Sequence, residues 1–365
     1  MKLGIIGLPN VGKSTLFNSI TKANARVANY PFCTISPNTG TVLVPDKRLD
    51  FLEKLYKPKK KIQAVVEFVD IAGLVKGASH GEGLGNQFLE HIRKTSAIVH
   101  VIRCFEDKSI AHVTGSGVNP LRDMEIIETE LILADLESMS KKLEKLEKST
   151  KVNDKKTLVE KQRLAIRIKT HLNKGSPAIN LELTTYEKTM LKDFFLITSK
   201  PILYVCNVSE NDLPLMENKY TKIVREKLKK SHAQAITICA KIEAELCELS
   251  ENNQKTFLKD LGLKEPALNR LIKSGYELLG LATFFTAGED EVRAWTIKKG
   301  VLAPQAAGTI HSDFERGFIR AAVMNFDDLT RLGSEKAVKD AGLLKNEGKE
   351  YLVEDGDVIE FRFNV

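Results

Sequence analysis

Eight residues near the start of the chain, Gly7-Leu8-Pro9-Asn10-Val11-Gly12-Lys13-Ser14, have the types and spacing needed to grip a phosphate. Gly7 and Gly12 let the backbone wrap an anion so that successive N–H groups point inward. A helix starting at Lys13 adds the positive end of its dipole. Lys13 is a point charge for β- and γ-phosphate oxygens, and the Ser14 hydroxyl suits Mg²⁺. The pattern G-x-x-x-x-G-K-[ST] is diagnostic when a strand precedes it and a helix follows. "KLGIIGL" and the run from Lys13 to Thr21 meet that condition.

A phosphate loop needs a second carboxylate near the metal, on a neighbouring strand. Asp70 ends "VEFVD" and is followed by Ile71-Ala72-Gly73, a D-x-x-G in which the Asp holds Mg²⁺ through water and the Gly73 amide senses the γ-phosphate. The glycine-rich run Gly73 to Gly85 is expected to be a lid ordered by nucleotide. In "YPFCTISPNTG" Thr34 offers a further hydroxyl for the metal. Where many such enzymes place a water-orienting Gln, this chain has Leu74, which neither donates nor accepts a hydrogen bond. Either hydrolysis is very slow or another side chain positions the water.

The guanine-reading N-K-x-D is replaced by Asn207-Val208-Ser209-Glu210. Val208 lacks the Lys stem that covers a base, and Glu210 is one methylene longer than the Asp that accepts from guanine N1–H and N2. Adenine has neither of those donors, while its 6-amino group and N7 suit an amide such as Asn207. The expected base is therefore adenine. "CAKIE" (Cys239 to Glu243) takes the place of the loop that frames the base.

Positioning these groups requires a parallel sheet. The first ~110 residues alternate short β-rich runs with helical patterns, as expected of α/β structure covered on both faces. "AVVEFVDIAG" and "SAIVHVIRCF" are strands beside the first, and "PILYVCNVS" and "AQAITICA" supply two more much later. An insertion of roughly eighty residues separates them, and its pattern is helical. Ile132, Leu136, Met139, Leu143 and Leu146 alternate four and three apart, the seam of a two-helix coiled coil. A second helix turns Leu158, Ala165, Ile168 and Leu172 inward after the turn "STKVND". From Glu137 to Lys174 the hairpin carries twelve Lys/Arg against five acids, a net +7 that equals the formal charge of the whole chain. Concentration of charge in one arm points to a polyanion, RNA above all, rather than to a merely solvated face. After about Leu281, short strands around a helix suggest a small α+β module.

The 365 residues, 42% hydrophobic, suffice for two or three domains. Cys33, Cys104, Cys206, Cys239 and Cys247 are odd in number and form no C-x-x-C pair, against a disulfide frame or a zinc knuckle. No apolar run approaches a membrane span, and no secretory signal is recognisable. A cytoplasmic protein with no membrane partner is expected.

With "GLPNVGKSTLFN", "PFCTI", "DIAGLVKGAS", "GEGLGNQFL", "NVSE" and the tail "RAWT…APQAAGTIH…FERGFIRA…DGDVI", the chain resembles the Obg-like ATPases, the YchF branch of the translation-factor-related P-loop NTPases. The resemblance spans nearly the whole length. It implies a P-loop G domain (residues 1–125 and 200–280), an inserted antiparallel helical coiled coil (126–199) and a C-terminal TGS domain of β-grasp shape (281–365). It further implies hydrolysis of ATP in preference to GTP, with Mg²⁺, in a monomer associated with the ribosome. Phosphate contacts carry over to Asn10, Val11, Gly12, Lys13, Ser14 and Thr15, metal ligands to Ser14 and Thr34, and base selection to Asn207 and Glu210, with Val208 acting through its main chain. The family's hydrophobic residue at the Gln position matches Leu74, and its proposed catalytic His corresponds to His112, which by itself reads as a loop histidine without a role. Two rivals remain at this point: a GTPase of ordinary specificity, and a nucleotide-gated binding module whose turnover is incidental.

Overall fold

The computed structural model describes residues 1–25, 38–71, 84–107, 117–148, 155–229, 231 and 233–364. Its strands in chain order are β1 (Lys2–Ile6), β2 (Thr39–Leu43), β3 (Lys60–Ile62), β4 (Val65–Asp70), β5 (Ala97–Arg103), β6 (Ile202–Asn207), β7 (Gln234–Ile238), β8 (Leu281–Ala287), β9 (Glu291–Lys298), β10 (Phe318–Met324), β11 (Lys345–Glu347) and β12 (Val358–Phe363). The first five helices are α1 (Lys13–Ala25), α2 (Lys47–Tyr56), α3 (Leu84–Arg93), α4 (Pro120–Lys148) and α5 (Lys155–Asn173).

One sheet has the order β2-β4-β1-β5-β6-β7, with β4, β1, β5, β6 and β7 parallel. Central parallel strands are covered on both faces and read as continuous apolar runs. β5 is the extreme case, since every one of its residues is buried. His100 sits there against Tyr204, and burial pulls its pKa down to about 4, so it is neutral at pH 7. Gly7, Asp70, Cys104, Asn207 and Cys239 all fall at the carboxyl ends of these strands, where open α/β sheets bind ligands.

The insertion is the expected pair of helices. Ile132, Met139 and Leu143 of α4 pack with Leu164, Ala165, Ile168 and Leu172 of α5, and Leu136 and Leu146 flank them. The returning segment closes this core with Ala178, Met190, Phe194 and Leu196. The carboxylate of Asp135, fully buried, accepts from the backbone N–H of Ile197 (3.0 Å) and Thr198 (2.8 Å) and from the Thr198 hydroxyl (2.7 Å). Those bonds balance the cost of a buried charge and fix where the chain leaves the insertion for β6.

The second sheet has the order β11-β10-β12-β8-β9-β3, and helices Ala303–Gly308 and Ser312–Arg316 belong to the same part of the chain. Its core is built from Phe284, Ile297, Ala306, Phe318, Ala321 and Phe361, among others. By its contacts the chain forms two units, one of 1–40 and 67–271 and the other of 41–66 and 272–365. Within the expected span 1–125, residues 41–66 group by their contacts with 272–365, although strands β2 and β4, which overlap that range, pair into the first sheet. The cause is visible in β3, which pairs parallel to β9 (Lys61 opposite Val292), and in α2, where Arg48 binds Asp355 at 2.7 Å and Phe51 meets Phe326 edge-on. The helical insertion groups with the parallel sheet.

Cys104, Cys206, Cys239 and Cys247 are buried free thiols, in keeping with their apolar strand and helix contexts. Among the described residues no helix is long and apolar enough to cross a membrane.

Candidate nucleotide site

The loop after β1 has the backbone expected of an anion cradle. Asn10 (φ 63°) and Gly12 (φ 92°) are left-handed, which aims neighbouring N–H groups to one side. At Gly7 a Cβ would lie 2.7 Å from the Val101 carbonyl oxygen, so only glycine lets the loop pass so close to β5. Ser14 and Thr15, in the first turn of α1, are exposed, as ligands to a phosphate or cation must be.

Lys13 is buried and its Nζ donates to Asp70 Oδ1 at 2.6 Å. Asp70 ends β4, its own N–H held by the Asn38 carbonyl at 2.8 Å. Strand pairing of β1 with β4 thus unites two residues 57 apart in the chain, the lysine and carboxylate that the sequence assigns to phosphate and metal. Thr34, Gly73, Leu74 and His112 lie outside the described residues.

Asn207 makes contacts that the sequence did not announce. Its side chain is buried; Nδ2 donates to the Val11 carbonyl (2.9 Å) and Oδ1 accepts from the Ala240 N–H (2.9 Å). With one of its two N–H donors and one acceptor lone pair, the amide expected to face a purine ties the phosphate loop to the base-framing loop. It packs so tightly on Gly12 that a Cβ there would fall 2.2 Å from Nδ2. Val208 is buried and its N–H is taken by the Ile238 carbonyl at 2.8 Å, leaving only its carbonyl for a main-chain contact. Glu210 is half exposed, and its carboxylate pairs with Lys241 of "CAKIE" at 2.7 Å. Cys239 is the N-cap of helix Ala240–Glu248 and makes no side-chain cap bond, burial raises its thiol pKa, and the contact to Asn207 is made by the Ala240 N–H.

Supporting residues escaped the sequence reading. Asp212 accepts from Ser209 N–H and hydroxyl (each 3.1 Å) and from Asn218 Nδ2 (3.0 Å), while Asn218 also donates to the Cys104 carbonyl at 2.8 Å. This network binds the turn after β6 to the end of β5. The spacing Ser209-x-x-Asp212, a variant of the capping box, was the available signal. Glu243, fully buried, accepts from the N–H groups of Ala267 (2.8 Å) and Leu268 (3.2 Å), and burial raises its pKa. Nothing in its helical context distinguishes it from a solvated acid.

A parallel sheet with a glycine-bounded loop after β1, a lysine on the β4 aspartate and a braced base loop defines a P-loop nucleoside-triphosphate hydrolase. Comparison with known proteins gives the same class. A family model described as "50S ribosome-binding GTPase" matches residues 2–159, and a YchF-GTPase C-terminal model, described as a protein of unknown function, matches 281–364. The chain is 53% identical to the ribosome-binding ATPase YchF of Bacillus subtilis over 99% of both chains. It is 50% identical to that of Escherichia coli O157:H7 over 100% of this chain and 99% of the relative. The structure of the Schizosaccharomyces pombe YchF GTPase superposes with a TM-score of 0.89 at 40% identity, covering 99% of this chain and 97% of that one. The chain belongs to the YchF family.

Proposed function

We propose that this chain is a Mg²⁺-dependent ATP hydrolase that associates with ribosomes in the cytoplasm and signals its nucleotide state to them. The observation that carries the reading is the convergence of Asp70 from the end of β4 and Asn207 from the end of β6 on the loop after β1, Asp70 at Lys13 and Asn207 at Val11. The names of relatives at about half identity over full length support both ATP and the ribosome.

The residues present fit a hard divalent cation. Ser14 offers an exposed hydroxyl at the start of α1, and Asp70 a carboxylate, a sparse oxygen set that leaves room for water and phosphate oxygens. Mg²⁺ held there by Ser14 and Asp70 would supply positive charge to neutralise the phosphates. With a triphosphate in the cradle, Lys13 exchanges the Asp70 oxygen for phosphate, and the Asp70 carboxylate is released to help hold the cation. The N–H groups from Asn10 to Thr15 orient the phosphates, Thr34 supplies a second hydroxyl, and the Gly73 amide senses the γ-phosphate. Leu74 excludes a side-chain water hook at its position, and His112 takes over that role. At the purine end Asn207 holds the two loops together, and Glu210 and the Val208 carbonyl face the 6-amino group. The basic helical arm provides RNA contacts, and the C-terminal module from 281 to 365 acts as a TGS domain in a monomer.

Titrating ATP and GTP side by side at equal Mg²⁺, with and without ribosomes, tests this directly. ATP is expected to bind the tighter and to change ribosome co-sedimentation; tighter GTP binding overturns the base assignment. Reversing the exposed Lys145, Lys148 and Lys174 to Glu should weaken ribosome binding and reduce the slope of log affinity against log salt by about 2. An unchanged slope removes the arm from the interface.

A further inference from the structure

A phenylalanine stands where the end of a helical turn ordinarily takes glycine. Phe195 follows the 3-10 turn Lys192–Phe194 with φ 48° and is 70% exposed. Left-handed residues after a helical turn are usually Gly or Asn, because a Cβ is crowded there. A ring adds to that crowding and leaves apolar surface in water, so neither backbone geometry nor packing calls for Phe.

The ring is nevertheless held on a rigid base. Arg93, the last residue of α3, donates from Nη1 to the Phe195 carbonyl at 2.9 Å, and the Phe195 N–H donates to the Lys192 carbonyl at 3.2 Å. Phe194 is buried in the helical core beneath it. Lys142 Nζ bonds the Asp193 and Phe194 carbonyls and lies 5.3 Å from the centre of the Phe195 ring. Burial and then the nearby charge of Arg93 hold the Lys142 pKa below the ordinary lysine range, a sign of how closely the cations gather. Lys192 is exposed beside them. The two acids at this corner are engaged, Asp193 by Lys161 at 2.7 Å and Asp135 by Ile197, Thr198 and, at 3.5 Å, Arg93, which among the described residues leaves Lys142 and Lys192 as the cations not paired with a carboxylate here.

We propose that Phe195 is a stacking platform for an unpaired RNA base, with the cations around it drawing in the flanking phosphates. Single-stranded nucleic acid is bound by this combination, an exposed ring for the base and positive charge for the backbone. Charge complementarity selects RNA over a protein partner: one ring among Lys142, Lys192 and Arg93 offers little apolar area and strong attraction for an anion. The biological source of the RNA rests on the ribosome reading above, whereas the binding itself does not.

The test uses the full-length protein and a labelled 12-nucleotide single-stranded RNA with a central 2-aminopurine. The unaltered protein should bind it and quench the fluorophore. F195G, whose backbone suits the position better and which should fold at least as well, is expected to lose about tenfold in affinity and the quenching with it. F195W should retain both. The salt slope should be the same in all three proteins, since stacking releases no counterions, unlike the lysine reversals. Equal RNA affinity and quenching in F195G overturns the proposal. So does a ribosome-pelleting defect in F195G with oligonucleotide binding intact, which would make the partner a protein. If the unaltered protein binds the oligonucleotide through Phe195 but never pellets with ribosomes, the stacking site stands and the ribosome reading falls.

Discussion

The phosphate end and the purine end of the nucleotide site are held by different kinds of structure. At the phosphate end the backbone does the holding: left-handed Asn10 and Gly12, a glycine at 7 that clears the Val101 carbonyl, and the first turn of α1. At the purine end side chains hold loops. Asn207 bridges Val11 to Ala240, Asp212 gathers Ser209 and Asn218, and Glu210 pairs with Lys241. A cradle made of backbone is indifferent to what the neighbouring loop carries, whereas a rim made of side-chain pairs can be retuned by single substitutions. Such a split would let one scaffold keep its phosphate chemistry if its base preference were changed.

The largest effect should come from the phosphate end. Lys13→Ala removes the cation meant for the γ-phosphate and leaves Asp70 without its partner at 2.6 Å. Single-turnover hydrolysis should fall by about 10²–10³-fold, the scale of losing one transition-state charge contact. ATP and GTP should suffer alike. A loss confined to one nucleotide would mean that the phosphate end also reads the base.

Asn207→Ala comes next and decides whether the purine end is braced or read. The Val11 carbonyl and the Ala240 N–H both lose a buried partner, at about 1–3 kcal/mol each. Urea unfolding should therefore show a loss of about 3 kcal/mol, with ATP and GTP affinities dropping together. Unchanged stability with selective loss of ATP would restore Asn207 to the role of base reader.

How much of this was open to sequence reading follows the same division. The cradle, Lys13 and Ser14 were legible because local spacing encodes local backbone, and Asp70, 57 residues further on, because it closes an apolar strand with a D-x-x-G of its own. The coiled-coil seam was legible too, since Ile132, Met139 and Leu143 recur at the helical period and all lie in one core. The double use of the Asn207 amide was not, because its partners lie 196 and 33 residues away. Nor was the grouping of α2 and β3 with residues 272–365. Leu49 and Leu52 announce an amphipathic α2, but periodicity does not say which sheet its apolar face covers. β3, only Lys-Lys-Ile, is too short and polar to announce a partner.

The scaffold between the two ends has its own pH signature. β5 runs between β1 and β6, and His100 within it has a folded pKa of about 4 against an ordinary 6.5. Between those values the unfolded chain binds the extra proton, so stability is full above pH 6.5 and falls as pH drops through the window to about 4. Denaturation at about pH 7 and about pH 5 should differ by about 2 kcal/mol from this group, and His100→Leu should flatten that difference. Persistence of the full slope in the variant would assign it to carboxylates elsewhere.

The smallest effect should be at Lys241, and it sharpens the comparison most. Its pair with Glu210 is open to solvent, 64% and 45% exposed, so breaking it changes stability by less than about 1 kcal/mol. Its consequence is directional. Lys241 either aims the Glu210 carboxylate at the purine rim or occupies it. If it aims, Lys241→Met weakens ATP by a few fold and leaves GTP untouched, because guanine presents no 6-amino group. If it occupies, the same variant tightens ATP, since the carboxylate no longer has to leave a partner before meeting the base. The phosphate end predicts aiming: there Lys13 must surrender Asp70 to bind a triphosphate, and a second pair to break at the other end would penalise entry twice. Tighter ATP binding by Lys241→Met would show that both ends of the site are latched by an ion pair until nucleotide arrives, and the contrast between backbone cradle and side-chain rim would narrow accordingly.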